Sequence, residues 1–180
     1  MPTTTLASDS GTGAQLVNLL AKKTPGRSGV TRRFTWDEVR DIVAANRLDL
    51  LGRTVADEET YSRDMERVRA EHGSVSAYVR TVKLADFIAD AAANHLLILN
   101  DYPYALPADA RHYILWSKLA MASGNEPEPA VREIFVAALD AQIGAGRYEW
   151  IWFVNPPELQ SIPEVVHGHL IVRELGDVQA

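Results

Sequence analysis

The sequence predicts an α+β fold: a helical N-terminal half followed by an antiparallel sheet, with one helix between two strand pairs. Three observations carry this. Apolar residues recur at helical spacing between residues 34 and 90. Four short runs rich in β-branched and aromatic residues follow: "HLLILN", "RHYILWSKL", "YEWIWFVN" and "VVHGHLIVREL". One long amphipathic stretch, "AVREIFVAALDAQIG", divides those runs two and two. Strands joined in this way form an antiparallel sheet, here expected to carry its helices on one face.

Taken in order, residues 1–13 are small and polar and read as a frayed tail. "AQLVNLLAKK" reads as a short amphipathic helix and "TPGRSGVTRR" as a linker. Residues 1–30 are thus a flexible tail and linker, and 31–180 a single α+β domain. In "FTWDEVRDIVAANRL", Thr35 with Glu38 three positions on forms a capping box, and Trp36, Val39, Ile42 and Val43 form the apolar stripe. "DLLGRT" is its exit, with Gly52 as the stop. "ADEETYSRDMERVRAEHG" is a charged helix with the narrow stripe Tyr61, Met65 and Val68, ended by Gly73; Ser74 caps the next helix, "VSAYVRTVKL". "ADFIADAAAN" either extends that helix or turns into the first strand.

Composition narrows the chemistry. The 180 residues are 47% hydrophobic, ample for one core, and include no cysteine. Disulfides, thiolate catalysis and cysteine-based metal centres are thereby excluded. A net charge of -6 argues against a general DNA binder, whose affinity comes mainly from neutralising phosphates. No run approaches the ~18 apolar residues of a spanning helix, and "MPTTTLASDSGTG" lacks the pattern of a signal peptide. The expectation is a soluble, cytoplasmic protein.

Three groups of residues hold candidate chemistry. His167 and His169 lie two apart in the last strand and so share a face. They are either a base or metal-binding pair or polar groups on a strand, and spacing alone leaves both open. Gly168 between them suggests a close approach by a ligand or another backbone. His112 begins the second strand and reaches the pair if strands two and four are neighbours. In "NDYPYALP", Asn100 and Asp101 end a strand, and Tyr102 and Tyr104 flank the stiff Pro103. Rings on such a loop suit stacking on a base or a flat side chain, and Asp101 suits a guanidinium; the alternative is an Asx turn with its tyrosines in the core. Asn155 ends the third strand, and Ser161 precedes the histidines without the strand–turn–helix elbow of a serine nucleophile, so it reads as a hydrogen-bond donor. Arg53, Arg63, Arg67, Arg69, Arg80 and Lys83 concentrate in the helical half, either as solvated ion pairs or as a phosphate-binding face.

The ordered series "FTWDEV", "LGR", "GSVSAYV", "ILNDYPYALP", "HYILWSK", "WFVN", "LQSIP" and "HGHLIV" resembles a mainly fungal family known as a domain of unknown function. That family includes N-acetylglucosamine-induced proteins and arginine-containing cyclodipeptide synthases. Here Tyr102 stands where Trp is usual, and Ala105 where Gly is usual. Residues 96–173 are also similar to the histidine-triad (HIT) hydrolases and transferases, although the first triad position is Val165. The sheet is therefore expected to be HIT-like.

The closer resemblance implies peptide-bond formation from aminoacyl-tRNA in secondary metabolism. Arginine would pass from arginyl-tRNA to a free or tRNA-bound second amino acid, with no cofactor and no metal. His167 would be the nucleophile or general base, with His169 and His112 orienting it or donating to the oxyanion. Asp101, or else Glu164, would pair with the guanidinium. Asn100, Asn155 and Ser161 would position substrate, Tyr102 and Tyr104 would stack on the terminal adenosine or the arginine, and Arg63, Arg67 and Lys83 would touch tRNA phosphates. The alternatives are a HIT-like nucleotide or phosphoramidate hydrolase using His167, and a non-catalytic binder of small ligands.

Overall fold

A computed structural model describes residues 29–176. The tail, the helix expected at 14–23 and the first half of the linker lie outside the described residues. The first helix, α1 (Trp36–Ala44), starts at the expected box: Thr35 Oγ1 accepts from the Glu38 amide, and the Glu38 carboxylate accepts from the Thr35 amide at 2.8 Å. Arg32 forks onto the same carboxylate at 2.6 and 2.9 Å, and this bond is the main force holding Glu38 down to about 2. The helix ends well before Gly52. Its chain turns at Asn46, which adopts φ 52, and continues through a 3-10 turn, Leu48–Leu50. Asparagine tolerates this left-handed geometry better than most residues, so it replaces the glycine stop.

Helix α2 (Val55–His72) buries Met65 and Val68, and Gly73 at φ 80 closes it. Ser74 accepts from the Ala77 amide and starts α3 (Val75–Tyr78). A π-helical turn, Val79–Lys83, follows, and α4 (Ala85–Ala89) ends the helical half. The segment "ADFIADAAAN" thus splits between a short helix and a turn. The π turn, marked by Leu84 N–H donating to the Val79 carbonyl, had no sequence signal. One extra residue per turn shifts the following side chains around the helix without changing its composition.

The strands β1 (His95–Leu99), β2 (Ala110–Ser117), β3 (Tyr148–Phe153) and β4 (His167–Glu174) form one antiparallel sheet in the order β1-β2-β4-β3. Helix α5 (Pro129–Gln142) connects β2 to β3. The expected helices on one face are corrected to helices on both. Val131, Phe135 and Leu139 of α5 pack on Tyr113, Leu115, Trp152, Leu170 and Val172. The N-terminal half covers the other face: α1 packs toward Ile151, Phe153 and Ile171, while Val79, Leu84 and Phe87 pack on Ile114 and Trp116. Burial explains the difference. The central strand β4 is buried from His167 through Val172, so both of its faces need cover. Each fully buried Leu, Ile or Phe there contributes roughly 1.5–3 kcal/mol relative to exposure.

Gly168 also reads differently in three dimensions. It faces the α5 side, where a Cβ would collide with the Cη2, Cζ2 and Cζ3 atoms of Trp152. The close neighbour is an indole ring, not a ligand or a backbone.

Candidate active site

β2 and β4 are neighbours, and their register sets Trp116 opposite His167 and Ile114 opposite His169, with His112 one position beyond on the same face. The period of two places all three imidazoles under the N-terminal half, away from α5. They do different work.

His167 Nδ1 lies 2.7 Å from the Val165 carbonyl. A carbonyl only accepts, so Nδ1 carries the proton and Nε2 keeps its lone pair. The ring is buried against Trp116, 5.0 Å between centroids. Burial lowers its pKa below 6.5, and the bond to Val165 offsets this only in part. His167 is therefore a neutral imidazole at neutral pH with one nitrogen free to react.

His112 and His169 form a closed chain behind it. The Tyr104 backbone N–H donates to His112 Nδ1 at 3.2 Å, and the Asn100 amide donates to the same atom at 3.3 Å. The His112 proton therefore sits on Nε2, which donates to His169 Nδ1 at 3.0 Å. His169 then holds its proton on Nε2, 3.1 Å from the Asn155 side-chain amide. Nitrogen on that side of the amide would set donor against donor, so the network turns the oxygen there. The structure sets Nδ2 at that end, donating to the Tyr104 hydroxyl at 3.2 Å; with the amide turned, that hydroxyl becomes the donor. Burial, reinforced by Arg53, takes His112 down to about 3. Burial, then the neighbouring imidazoles and Arg53, put His169 well below 6.5. Both rings stay neutral, and neither hydrogen-bonds His167.

In front of His167 opens a cleft with about 170 Å³ of free space. Its polar wall includes Arg53, Lys83, Asn100, Asp101 and Ser161, and its apolar wall includes Val79, Ile114 and Trp116. Of the residues expected in the site, His167, His169, Asn100, Asp101, Tyr102, Ser161, Arg67 and Lys83 line this cleft. Tyr104, His112 and Asn155 stand behind it. The Tyr104 ring lies against His169 at 5.6 Å and His112 at 4.9 Å, so it serves the histidines and not a substrate base. The Tyr102 hydroxyl donates to Asp64, and burial with this bond pushes it up to about 12.

Asp101 is already paired in the structure, with Lys83 at 2.5 Å. Glu164 lies in a different depression, with Arg80 and Lys118, and does not back up Asp101. Arg63 is also outside the cleft: it lies among Glu58, Glu59 and Glu66 on the outer side of α2, whereas Arg67 reaches the rim.

Sequence reasoning left ten of the lining residues out of the site, among them Tyr61, Tyr78, Trp116 and Arg53, the last named only within a basic face. Arg53 was visible in "LGR", but its place in the cleft rests on contacts from two segments: its guanidinium lies 3.8 Å over the Tyr61 ring of α2, and its Nε donates to the Tyr102 carbonyl in the loop after β1. Among the described residues no group of three or more histidines or carboxylates is arranged to hold a metal ion. No described helix is long and apolar enough to cross a membrane.

Comparison with known proteins gives relatives of this architecture. The chain is 27% identical over 158 residues to the uncharacterized protein YPL067C of Saccharomyces cerevisiae, covering 77% of this chain and 78% of that protein. It is 22% identical over 177 residues to N-acetylglucosamine-induced protein 1 of Candida albicans, covering 80% of this chain and 70% of that one. The crystal structure of HTC1 shares the fold, with a TM-score of 0.54 and 24% identity over 78% of this chain and 85% of that one. Residues 35–173 match the family described as Protein of unknown function (DUF3605), and the chain belongs to that family.

Proposed function

We propose that this protein is a cytoplasmic aminoacyltransferase that forms a peptide bond, moving arginine from arginyl-tRNA to the amine of a second amino acid. One observation carries the reading: His167 is neutral, is fixed through Nδ1–H to the Val165 carbonyl, makes no hydrogen bond through Nε2 among the described residues, and lines a cleft. That is the state a nucleophilic imidazole needs. Nε2 forms a bond to the ester carbonyl carbon, and the bond from that carbon to the ribose oxygen breaks. The amine then displaces Nε2, and its proton ends on the ribose hydroxyl. The ester is already activated, so neither ATP nor a metal enters the balance.

Asp101 supplies the carboxylate for the guanidinium, which must displace Lys83. Asn100 and Ser161 offer polar contacts on the same wall. His112 and His169 keep the floor of the site neutral and ordered. The resemblance of the motif series supports the choice of an arginyl group. Incubation with arginyl-tRNA and amino acids, without ATP, is expected to give an arginine-containing dipeptide, linear or cyclic, by mass spectrometry. Ribonuclease pretreatment and His167→Ala should each abolish it. Product that survives either, or no product with any charged tRNA, overturns the proposal.

A second reading is a HIT-like nucleotide or phosphoramidate hydrolase or transferase, in which the same Nε2 attacks phosphorus. The cations in the cleft favour it. It predicts a nucleotidyl adduct on His167, trapped by acid-free quenching and located by peptide mass spectrometry. Turnover of adenosine phosphoramidate that persists in His167→Ala excludes it.

A further inference from the structure

The protein carries a net charge of -6, yet the cleft in front of His167 has the opposite balance. Among its lining residues Arg53, Arg67 and Lys83 are cations, and Asp101 is the single carboxylate. Each cation has a carboxylate beside it: Asp101 pairs with Lys83 on the lining, while Glu58, 3.1 Å from Arg53, and Asp64, 3.2 Å from Arg67, lie just off it. What distinguishes the cations is therefore not net charge but which donor atoms remain open toward the cleft.

Arg53 is the most rigid of the three cations. Its side chain is 14% exposed. Nε donates to the Tyr102 carbonyl at 3.1 Å, Nη1 donates to Glu58 at 3.1 Å, and the guanidinium stacks on Tyr61. These contacts leave Nη2 without a hydrogen bond among the described residues. Its position beside the catalytic strands is marked by its electrostatic effect on both His112 and His169. A guanidinium fixed on three sides with one donor edge open is preorganised for a phosphate, because no rotamer freedom remains to be lost when the bond forms.

We infer that Arg53, assisted by Arg67 at the rim, is a specificity-determining residue that binds the phosphate of a nucleotide-borne substrate and so sets the reacting group against His167. The inference rests on the proposed nucleotide-linked substrate, and the phosphate chemistry is shared by the 3′ end of an RNA and a free mononucleotide.

Isothermal titration calorimetry with AMP, adenosine and the uncharged trinucleotide CCA tests it without any turnover. Wild-type protein is expected to bind AMP at least tenfold more tightly than adenosine. Arg53→Met should bring AMP to the adenosine level while leaving adenosine affinity within twofold, and Arg53→Lys should fall between. Tighter binding of CCA than AMP assigns the phosphate to an RNA end, and the reverse to a free nucleotide. If Arg53→Met does not fold by circular dichroism, Arg67→Met, at a side chain 66% exposed, carries the test with a several-fold loss for AMP alone. Equal affinity of the wild type for AMP and adenosine, no binding of AMP, or full AMP affinity in both Arg53 variants overturns the inference. The two proposals fail separately. AMP discrimination without arginyl transfer removes the transferase reading only, and transfer with unchanged Arg53→Met binding removes this one only.

Discussion

At the scale of single residues, the side chain that differs most from its neighbours is His167. All three imidazoles of the site are buried and share one face of the sheet, yet His167 alone among them has a ring nitrogen without a hydrogen-bond partner among the described residues. Its pKa lies below 6.5, so its reactive neutral form persists into mildly acidic solution. If the proposed transfer is the activity, the acid limb of its kcat/KM is expected to have its inflection below pH 6.5. An inflection at or above 6.5 would argue for a solvated or carboxylate-paired histidine instead. Asn155 gives a second expectation. Asn155→Ala removes the acceptor for His169 Nε2–H and leaves a buried donor unpaired, which costs about 1–3 kcal/mol in urea unfolding. The pairing of His167 with His169 was legible in the sequence, because strand alternation is geometric. Their division into one ring with an unpaired nitrogen and one ring inside a closed network was not, because it depends on which groups meet which nitrogen.

At the scale of elements, β4 is built around a glycine under an indole ring. Gly168→Ala should cost about 1–3 kcal/mol, because a methyl group must displace the Trp152 ring in a packed layer. It should also disturb His167 and His169 on either side. Trp152→Phe in the same chain shortens the ring system and should restore part of both the urea midpoint and the transfer rate; no restoration would show that the ring contact is not the cause. The start of α1 is simpler. Thr35→Ala removes one half of a capping box and should cost about 1 kcal/mol by the same measurement. The box, the four strands and α5 were readable from local pattern. The π turn at Val79–Lys83 was not, although it carries Lys83 to Asp101.

At the scale of the whole molecule, the buried histidines make the fold acid-sensitive. His112, at about 3, and His169 and His167 stay unprotonated in the folded chain, whereas the unfolded chain takes up protons near 6.5. The unfolded state thus binds more protons below that pH. Stability is complete above about 6.5 and falls as pH drops, by up to roughly 1.4 kcal/mol per pH unit for each histidine. For His112 the decline continues toward about 3. Glu38 adds a lower window: its pKa is depressed, so its contribution is present above the ordinary carboxylate range and is lost as pH falls toward about 2. Urea midpoints are expected to drop clearly between pH 7.5 and 5.5, and a flat profile across that range would contradict the neutral, buried rings.

Local pattern alone fixed the α+β order of elements, the antiparallel sheet, the caps at Thr35, Gly73 and Ser74 though not the stop expected at Gly52, and a cluster of polar residues at strand ends, because each is a local consequence of period, branching and turn chemistry. Tertiary structure decided what lay between elements: cover on both faces of the sheet, the retreat of Tyr104, His112 and Asn155 behind the site, the separation of Arg63 and Glu164 from it, and the entry of Arg53 and Trp116. The reason is physical. Periodicity gives the direction of a side chain within its own element, but burial, tautomer and charge balance come from the groups that other elements bring against it.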